Sequence, residues 1–235
     1  MTDDEKPTVV GWLVERYANQ PAVQALLKLL PYWSSADAFI QQRARKIRHE
    51  RTRTFFDALA NGKVQLSEDL IQSDDFLHCY FKTVSAALNT RRKEKIQMFA
   101  RLLRYALDGD SFSSIEEYEE VLSIFDEVSY RELGVLVTLN GFEAAAAHQT
   151  FDSDVARIGS YWEAFRNRAC ETFDISVEVF GPFMTRLERT ALFTRDTGAF
   201  WDTHPGFGMT TQLFARLKRM VLADTSYDFS CSGKQ

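Results

Sequence analysis

Apolar residues recur at three- and four-residue spacing over most of this chain, which is the spacing of one face of an α-helix. The stripe of the helix predicted over residues 36–60 is narrow: Ile40, Ala44, Ile47 and Ala58. Residues 74–107 carry two stripes, first Leu77, Tyr80, Phe81, Val84 and Leu88, then Ile96, Phe99, Ala100, Leu103 and Leu107. Residues 155–173 are expected to turn Ile158, Trp162, Phe165 and Ala169 inward, and the helix after residue 176 to bury Val179, Phe183 and Leu187. Residues that interrupt helices are few, with 5 prolines and 11 glycines among 235 residues. Because long helical stripes must bury their apolar faces against one another, we predict a mainly α-helical protein.

Cap residues mark the starts of several predicted helices. Side chains that can cap a helix N-terminus precede five of the stripes: Ser35, Ser73, Ser114, Ser129, and Thr210 or Thr211. Ser114 with Glu117 and Ser129 with Glu132 also have the spacing of a capping box, in which serine and glutamate each accept an end N–H. These pairs predict helix starts near residues 115 and 130. The second of these helices is expected to end near Gly141.

A turn-forming stretch, DGDS at residues 108–111, is the predicted domain boundary. Before it, residues 1–108 are expected to form a bundle-like helical half. After it, residues 112–225 form the second half, and residues 226–235 form a loose tail.

The second half contains the one segment that has a β-strand pattern. Residues 191–193 are predicted to form a strand, RDTG (195–198) a turn and AFWDT (199–203) the return strand, before a break at HPGFG (204–208). Two helices joined at residues 174–176 precede this hairpin, and another helix follows it. The order is that of a winged-helix domain, so we predict a degenerate winged-helix-like half with one short β-hairpin.

The helix that would read DNA in such a domain is poorly suited to the task. It begins with SVEVFGP (176–182), which offers none of the Arg, Lys, Asn or Gln donors that read base edges. Glu178 repels phosphate, and Pro182 interrupts the helical hydrogen bonds. The sequence therefore argues against sequence-specific DNA binding.

Charge is strongly segregated along the chain, although the net charge is only -5. Residues 36–66 hold seven basic and three acidic side chains, and residues 91–107 hold six basic and one acidic. Residues 108–135 hold one basic and nine acidic. Two interpretations stay open: acidic and basic helices lie against each other, or the basic helices contact a partner.

The candidate partner-binding residues are the basic side chains of the two positive segments and one aromatic residue of the predicted wing. They are Arg43, Arg45, Lys46, Arg48, Arg51, Arg53, Arg91, Arg92, Lys93, Lys95 and Trp201. Trp201 falls outside the helical stripes and can anchor a partner. Strand alternation predicts that Phe200 packs inward with Leu192 and Leu213, which leaves Trp201 on the outer face.

No pattern of catalytic, metal-binding or cofactor-binding residues stands out. The four histidines are scattered singly, and His78 and Cys79 are helical neighbours whose side chains point about 100° apart. The three cysteines form no pair, which favours a reducing cytoplasmic setting. No apolar run approaches the roughly 18 residues that span a bilayer. We therefore expect a non-enzymatic cytoplasmic protein without a cofactor.

Several segments together resemble a known group of proteins. LKLLPYW (27–33) before an Arg- and Lys-rich helix, RRKEKIQMFARLL (91–103), SYRELGVLVTL (129–139) and RLERTALF (186–193) are similar to helical bacterial proteins of the abortive-infection alpha type. The resemblance covers most of the chain, but YWSS at 32–35 replaces that family's small residues or glycines. It implies a protein-interaction module linked to phage defence, with no catalytic residues to carry over.

One alternative function uses the same residues. In it, the protein is a nucleic-acid-binding regulator whose basic helices, not the predicted recognition helix, grip phosphates without sequence preference. The partner's identity and the oligomeric state, including a homo-oligomer, stay open at this point.

Overall fold

The computed structural model describes residues 16–28, 38–61, 73–107, 112–196, 207–222 and residue 229. These residues contain nine α-helices and one two-stranded antiparallel sheet, which confirms the predicted mainly helical class. In chain order, the elements are α1 (Pro21–Lys28), α2 (Ala38–Ala60), α3 (Asp74–Asn89), α4 (Lys93–Leu107), α5 (Ile115–Glu127), α6 (Tyr130–Ala146), α7 (Asp154–Phe173), α8 (Val177–Glu188), β1 (Phe193–Arg195), β2 (Gly208–Thr210) and α9 (Gln212–Leu222).

The chain forms two compact units, Met1–Leu122 and Ser123–Gln235, and the division falls within α5. The boundary predicted at residues 108–111 lies outside the described residues. The winged-helix-like character of the second half stays a prediction, because the helices and the hairpin do not by themselves distinguish that fold from other helical arrangements.

In the first unit, α2 packs against α4 and α3 with its C-terminal half. The buried side chains are Thr52, Phe55, Phe56 and Leu59. The apolar spacing predicts a stripe through Ile40, Ala44, Ile47 and Ala58 instead. That expectation is wrong at Ile47, which is 42% exposed, because the bulky apolar residues that the neighbouring helices cover lie further along α2.

Helices α3 and α4 complete the core of the first unit. Ser73 caps α3 by accepting the Phe76 N–H at 3.4 Å, as predicted. On the predicted face of α3, Tyr80 and Val84 are buried, but Phe81 is 39% exposed because α3 turns its Phe76 and Cys79 side inward. The face predicted for α4 is confirmed at Ile96, Phe99, Ala100 and Leu103, which are buried, whereas Leu107 on the same face is only half-buried.

In the second unit, α6 and α7 form the main helix pair. The capping box of Ser129 and Glu132 is complete at the start of α6. This helix passes through Gly141, where an end was expected, and continues to Ala146. At Gly134 a Cβ would lie 2.5 Å from a ring carbon of Phe173, so a larger residue there would force that ring to move. The predicted core of α7 is buried as expected: Ile158, Trp162, Phe165 and Ala169.

Helix α8 follows the predicted turn at residues 174–176, where Asp174 has a φ of 51° and ends α7 in the left-handed conformation. The face expected to be buried contained Val179, which is instead 54% exposed. The residues that α8 buries are Phe180, Gly181, Met184 and Leu187. The inner face is thus rotated toward Phe180, whose ring packs against Trp162 at a centroid distance of 6.3 Å.

The hairpin exists, but β1 pairs with a later segment than predicted. Phe193 pairs with Thr210 and Arg195 with Gly208, so the partner strand is β2. The first residue of β2, Gly208, belongs to the HPGFG segment that was predicted to be a break. The predicted return strand at 199–203 lies outside the described residues. Of the two residues predicted to cap α9, Thr211 is the cap: its hydroxyl accepts the Phe214 N–H at 3.2 Å.

One residue of the predicted loose tail is held in place. The ring of Phe229 stacks on Tyr130 with centroids 4.7 Å apart. The other residues of the predicted tail lie outside the described residues, so its looseness stays a prediction.

Candidate functional site

The basic segment of α2 presents its side chains in several directions around the helix. Lys46, Arg48 and Arg53 are exposed, and Arg51 is half-buried. Arg43 and Arg45 also belong to α2, but their side chains lie outside the described residues. Because each helical residue is rotated by about 100° from the one before, Arg48 lies within about 60° of Arg51, whereas Lys46 and Arg53 point elsewhere.

Arg51 joins this segment to the second basic segment. Its Nη1 donates a hydrogen bond of 2.5 Å to the carbonyl oxygen of Leu88. Leu88 lies in the last turn of α3, where carbonyls have no partner within the helix and where a positive charge is favoured by the helix dipole. This contact places the middle of α2 beside the corner between α3 and α4.

That corner carries the second group of predicted residues. Arg91, Arg92 and Lys93 begin three residues after Leu88 and are all exposed. Segments about 40 residues apart in the sequence therefore meet in space. We call this group the basic surface and define it as Arg48, Arg51, Arg91, Arg92 and Lys93.

Two other predicted basic residues are engaged elsewhere. Lys95 is only 6% exposed, and its Nζ lies 5.5 Å from the centroid of the Phe99 ring, one turn further along α4. Its aliphatic stem packs in the core while its charge faces an aromatic ring, so Lys95 departs from the prediction and is not part of the basic surface. Arg53 forms an ion pair with Asp57 on the same helix, with Nε 3.8 Å from Oδ2.

Ile47 adds an apolar group to the basic surface. It precedes Arg48 and lies one helical turn before Arg51, so it shares their side of α2. The apolar spacing of α2 predicts Ile47 in the core, so the sequence pattern does not identify it as a surface residue. An apolar side chain with charged neighbours is the composition of many protein interfaces, in which a dry centre is ringed by polar groups.

Glu119 of the acidic helix α5 does not pair with the basic surface. Both Lys82 Nζ, at 2.5 Å, and His78 Nε2 contact Glu119 Oε1, and both belong to α3. Hydrogen bonds from Lys82 and then from His78 hold the pKa of Glu119 below the usual value for a glutamate. At Glu119 the acidic helix thus pairs with α3 and with neither of the two basic segments.

Trp201 and Phe200 lie outside the described residues, so their assignment to the outer and inner faces stays a prediction. Of the two residues expected to cover Phe200, Leu192 is buried and Leu213 is half-buried.

No family model, curated protein or solved structure matches the chain. The resemblance to the abortive-infection alpha type therefore stays a prediction. Within the described part of the chain, no three His, Cys, Asp or Glu residues are grouped to hold a metal ion. No helix described here has both the length and the apolar character that crossing a bilayer demands.

Proposed function

We propose that this protein is a non-enzymatic bacterial interaction module that binds an acidic protein segment through the basic surface. The observation that carries the proposal is the hydrogen bond from Arg51 to Leu88, because it brings two separate basic segments to one place. A surface with five positive side chains attracts a negatively charged partner and speeds its association.

The exposure of Ile47 favours a protein partner over a nucleic acid. Contacts to a phosphate backbone need positive charge and hydrogen-bond donors, and an apolar side chain contributes nothing to them. An amphipathic acidic helix or strand can use both the charges and Ile47. The start of α8 also fits DNA poorly, since its exposed side chains are Val177, Glu178 and Val179.

The biological setting of this proposal comes from the resemblance alone. If the chain works as proteins of the abortive-infection alpha type do, the acidic partner belongs to phage defence in the cytoplasm.

A charge-reversal variant tests the proposal. The change is Arg48→Glu, Arg91→Glu and Lys93→Glu, which leaves Arg51 and its bond to Leu88 intact. Binding of fluorescent acidic amphipathic peptides is measured by anisotropy, beside mixed-sequence RNA and DNA, at about 50 and about 200 mM salt. We expect the variant to bind the peptides at least about tenfold more weakly, since each lost charge pair is worth up to about 1 kcal/mol.

A matched control reverses three exposed arginines in the second unit: Arg168→Glu, Arg189→Glu and Arg219→Glu. This control has the same net charge as the charge-reversal variant and should bind the peptides as tightly as the wild type does. The single change Ile47→Ser should weaken peptide binding but leave nucleic-acid binding unchanged. Tight, steeply salt-dependent binding of RNA or DNA that ignores Ile47→Ser would replace this proposal with the nucleic-acid alternative.

A further inference from the structure

The first unit contains a cleft that belongs to none of the basic residues discussed above. It has a volume of about 290 Å³ and lies between the first turn of α3, the last turns of α4 and the start of α5. This volume is near the lower end of small-molecule pockets, about 300 Å³, and suits a ligand with a single ring or a short alkyl chain.

The walls of the cleft are mainly apolar and aromatic. Phe76, Leu103, Phe112 and Tyr118 all line it. Phe112 packs edge-on against Tyr118 with centroids 5.2 Å apart. The Tyr118 hydroxyl is already engaged, in a buried hydrogen bond of 2.5 Å with Thr83, so it is not an open polar group for a ligand.

One lining residue of the described chain carries a charge. Asp75 is exposed and contributes to the cleft, whereas the hydroxyls of Ser73 and Ser114 already accept the N–H groups of Phe76 and Glu117. The cleft thus joins an apolar interior to one carboxylate at its edge.

Acidic side chains lie around the cleft. The thiol of Cys79, another lining residue, has a raised pKa because of burial first and the nearby carboxylates of Glu119 and Asp75 next. The N-termini of α3 and α5 would favour an anion, but acidic residues in their first turns offset that field: Asp74, Asp75, Glu116 and Glu117.

We propose that this cleft binds a small organic ammonium ion, with its aryl or alkyl body against the apolar walls and its charge beside Asp75. Burying the aryl or alkyl body of the ligand away from water favours binding. The carboxylate, together with aromatic faces that attract cations, selects the positive charge over a neutral or negative group. This site is independent of the basic surface, so its failure would leave the proposed function untouched.

Three probes of the same shape test the selection by charge: 2-phenylethylammonium, 2-phenylethanol and phenylacetate. Their affinities for the full-length protein are measured by chemical-shift titration at about pH 7. We expect the ammonium ion to bind about fivefold more tightly than the alcohol, the range of an exposed ion pair, and phenylacetate to bind most weakly. Equal affinities for the ammonium ion and the alcohol would overturn the proposal, as would binding of none of the probes.

Two variants at neighbouring positions test whether Asp75 is the group that selects the ammonium ion. Asp75→Asn should reduce the affinity for the ammonium ion to that for the alcohol and leave the alcohol unaffected. Asp74→Asn is the matched control, since Asp74 is also exposed in the first turn of α3 but does not line the cleft. Preference for the ammonium ion that survives Asp75→Asn would contradict the assignment.

Occupancy of the cleft has a separate readout in the unchanged protein. Saturating 2-phenylethylammonium should slow the alkylation of Cys79 by iodoacetamide at least about threefold, measured by peptide mass spectrometry, because Cys79 lines the cleft. Cys170 lies outside the cleft, in the second unit, and should react at the same rate with and without the probe. Unchanged alkylation of Cys79 at saturation would place the probe elsewhere and refute the proposal.

Discussion

At the scale of single residues, the direction of the buried hydrogen bond between Thr83 and Tyr118 follows from the other contact that Thr83 makes. The Thr83 hydroxyl lies 2.7 Å from the carbonyl oxygen of Cys79 and 2.5 Å from the Tyr118 hydroxyl. A hydroxyl has one hydrogen to donate, and the carbonyl can only accept. Thr83 therefore donates to Cys79, and Tyr118 donates to Thr83.

This direction predicts unequal effects of removing each hydroxyl. Thr83→Val should lower the free energy of unfolding by about 1–3 kcal/mol, because it leaves the buried Tyr118 donor without an acceptor. Tyr118→Phe should cost less, about 0.5–1.5 kcal/mol, because Thr83 keeps its bond to Cys79. Urea denaturation of the two single variants and the double variant measures these terms. A larger loss for Tyr118→Phe would mean that the hydrogen bond runs in the other direction.

At the scale of secondary-structure elements, the short hairpin depends on one glycine. A Cβ added to Gly208 would overlap the carbonyl oxygen of Thr194 and lie 2.5 Å from Phe193 Cζ. Both belong to β1, so the close pairing of β1 with β2 requires a residue without a side chain at this position. A second anchor holds β2 against α6, since the Thr210 N–H donates to Glu143 Oε1 at 2.6 Å.

We therefore expect Gly208→Ala to destabilise the protein by about 1–3 kcal/mol, the usual cost of an extra methyl group in a packed site. Thermal unfolding followed by circular dichroism measures the loss. Gly159→Ala is the control, because Gly159 is exposed within α7 and an added Cβ there would contact nothing within 4 Å. That change should stabilise α7 by about 0.5–1 kcal/mol. Equal effects of the two changes would show that the hairpin does not depend on close approach at Gly208.

At the scale of the whole molecule, the distribution of charge matters more than its sum. The net charge is -5, yet the basic surface is made of four exposed basic side chains and the half-buried Arg51. Because charges further apart than about 10 Å are screened at about 0.1 M salt, a partner on this surface senses the local positive charge and not the total.

This segregation predicts that the protein is retained on a sulfonate cation-exchange resin at pH about 7 and low salt, although a protein with net negative charge should pass through. The variant Arg48→Glu, Arg91→Glu and Lys93→Glu should lose retention. The second-unit variant Arg168→Glu, Arg189→Glu and Arg219→Glu has an identical net charge and should still be retained. Equal elution of the two variants would show that net charge alone decides the behaviour.

Local features of the sequence determined the elements of this protein. Ser73, Ser129 and Thr211 cap helices as expected, because a capping side chain bonds to a backbone group only two or three residues away. Ile96, Phe99, Ala100 and Leu103 of α4 and the predicted core residues of α7 are buried as expected, because apolar residues at helical spacing lie on the same side of a helix. No distant residue was needed to predict either property.

Tertiary structure decided which face of α2, α3 and α8 is buried, and so exposed Ile47, Phe81 and Val179. These helices have apolar residues on more than one side, and the side that is buried depends on which neighbours cover it. The same holds for the candidate site, because basic residues in two segments could be predicted but their meeting could not. That meeting depends on the hydrogen bond between Arg51 and Leu88, 37 residues apart, which exists only once α2 has packed beside α3 and α4.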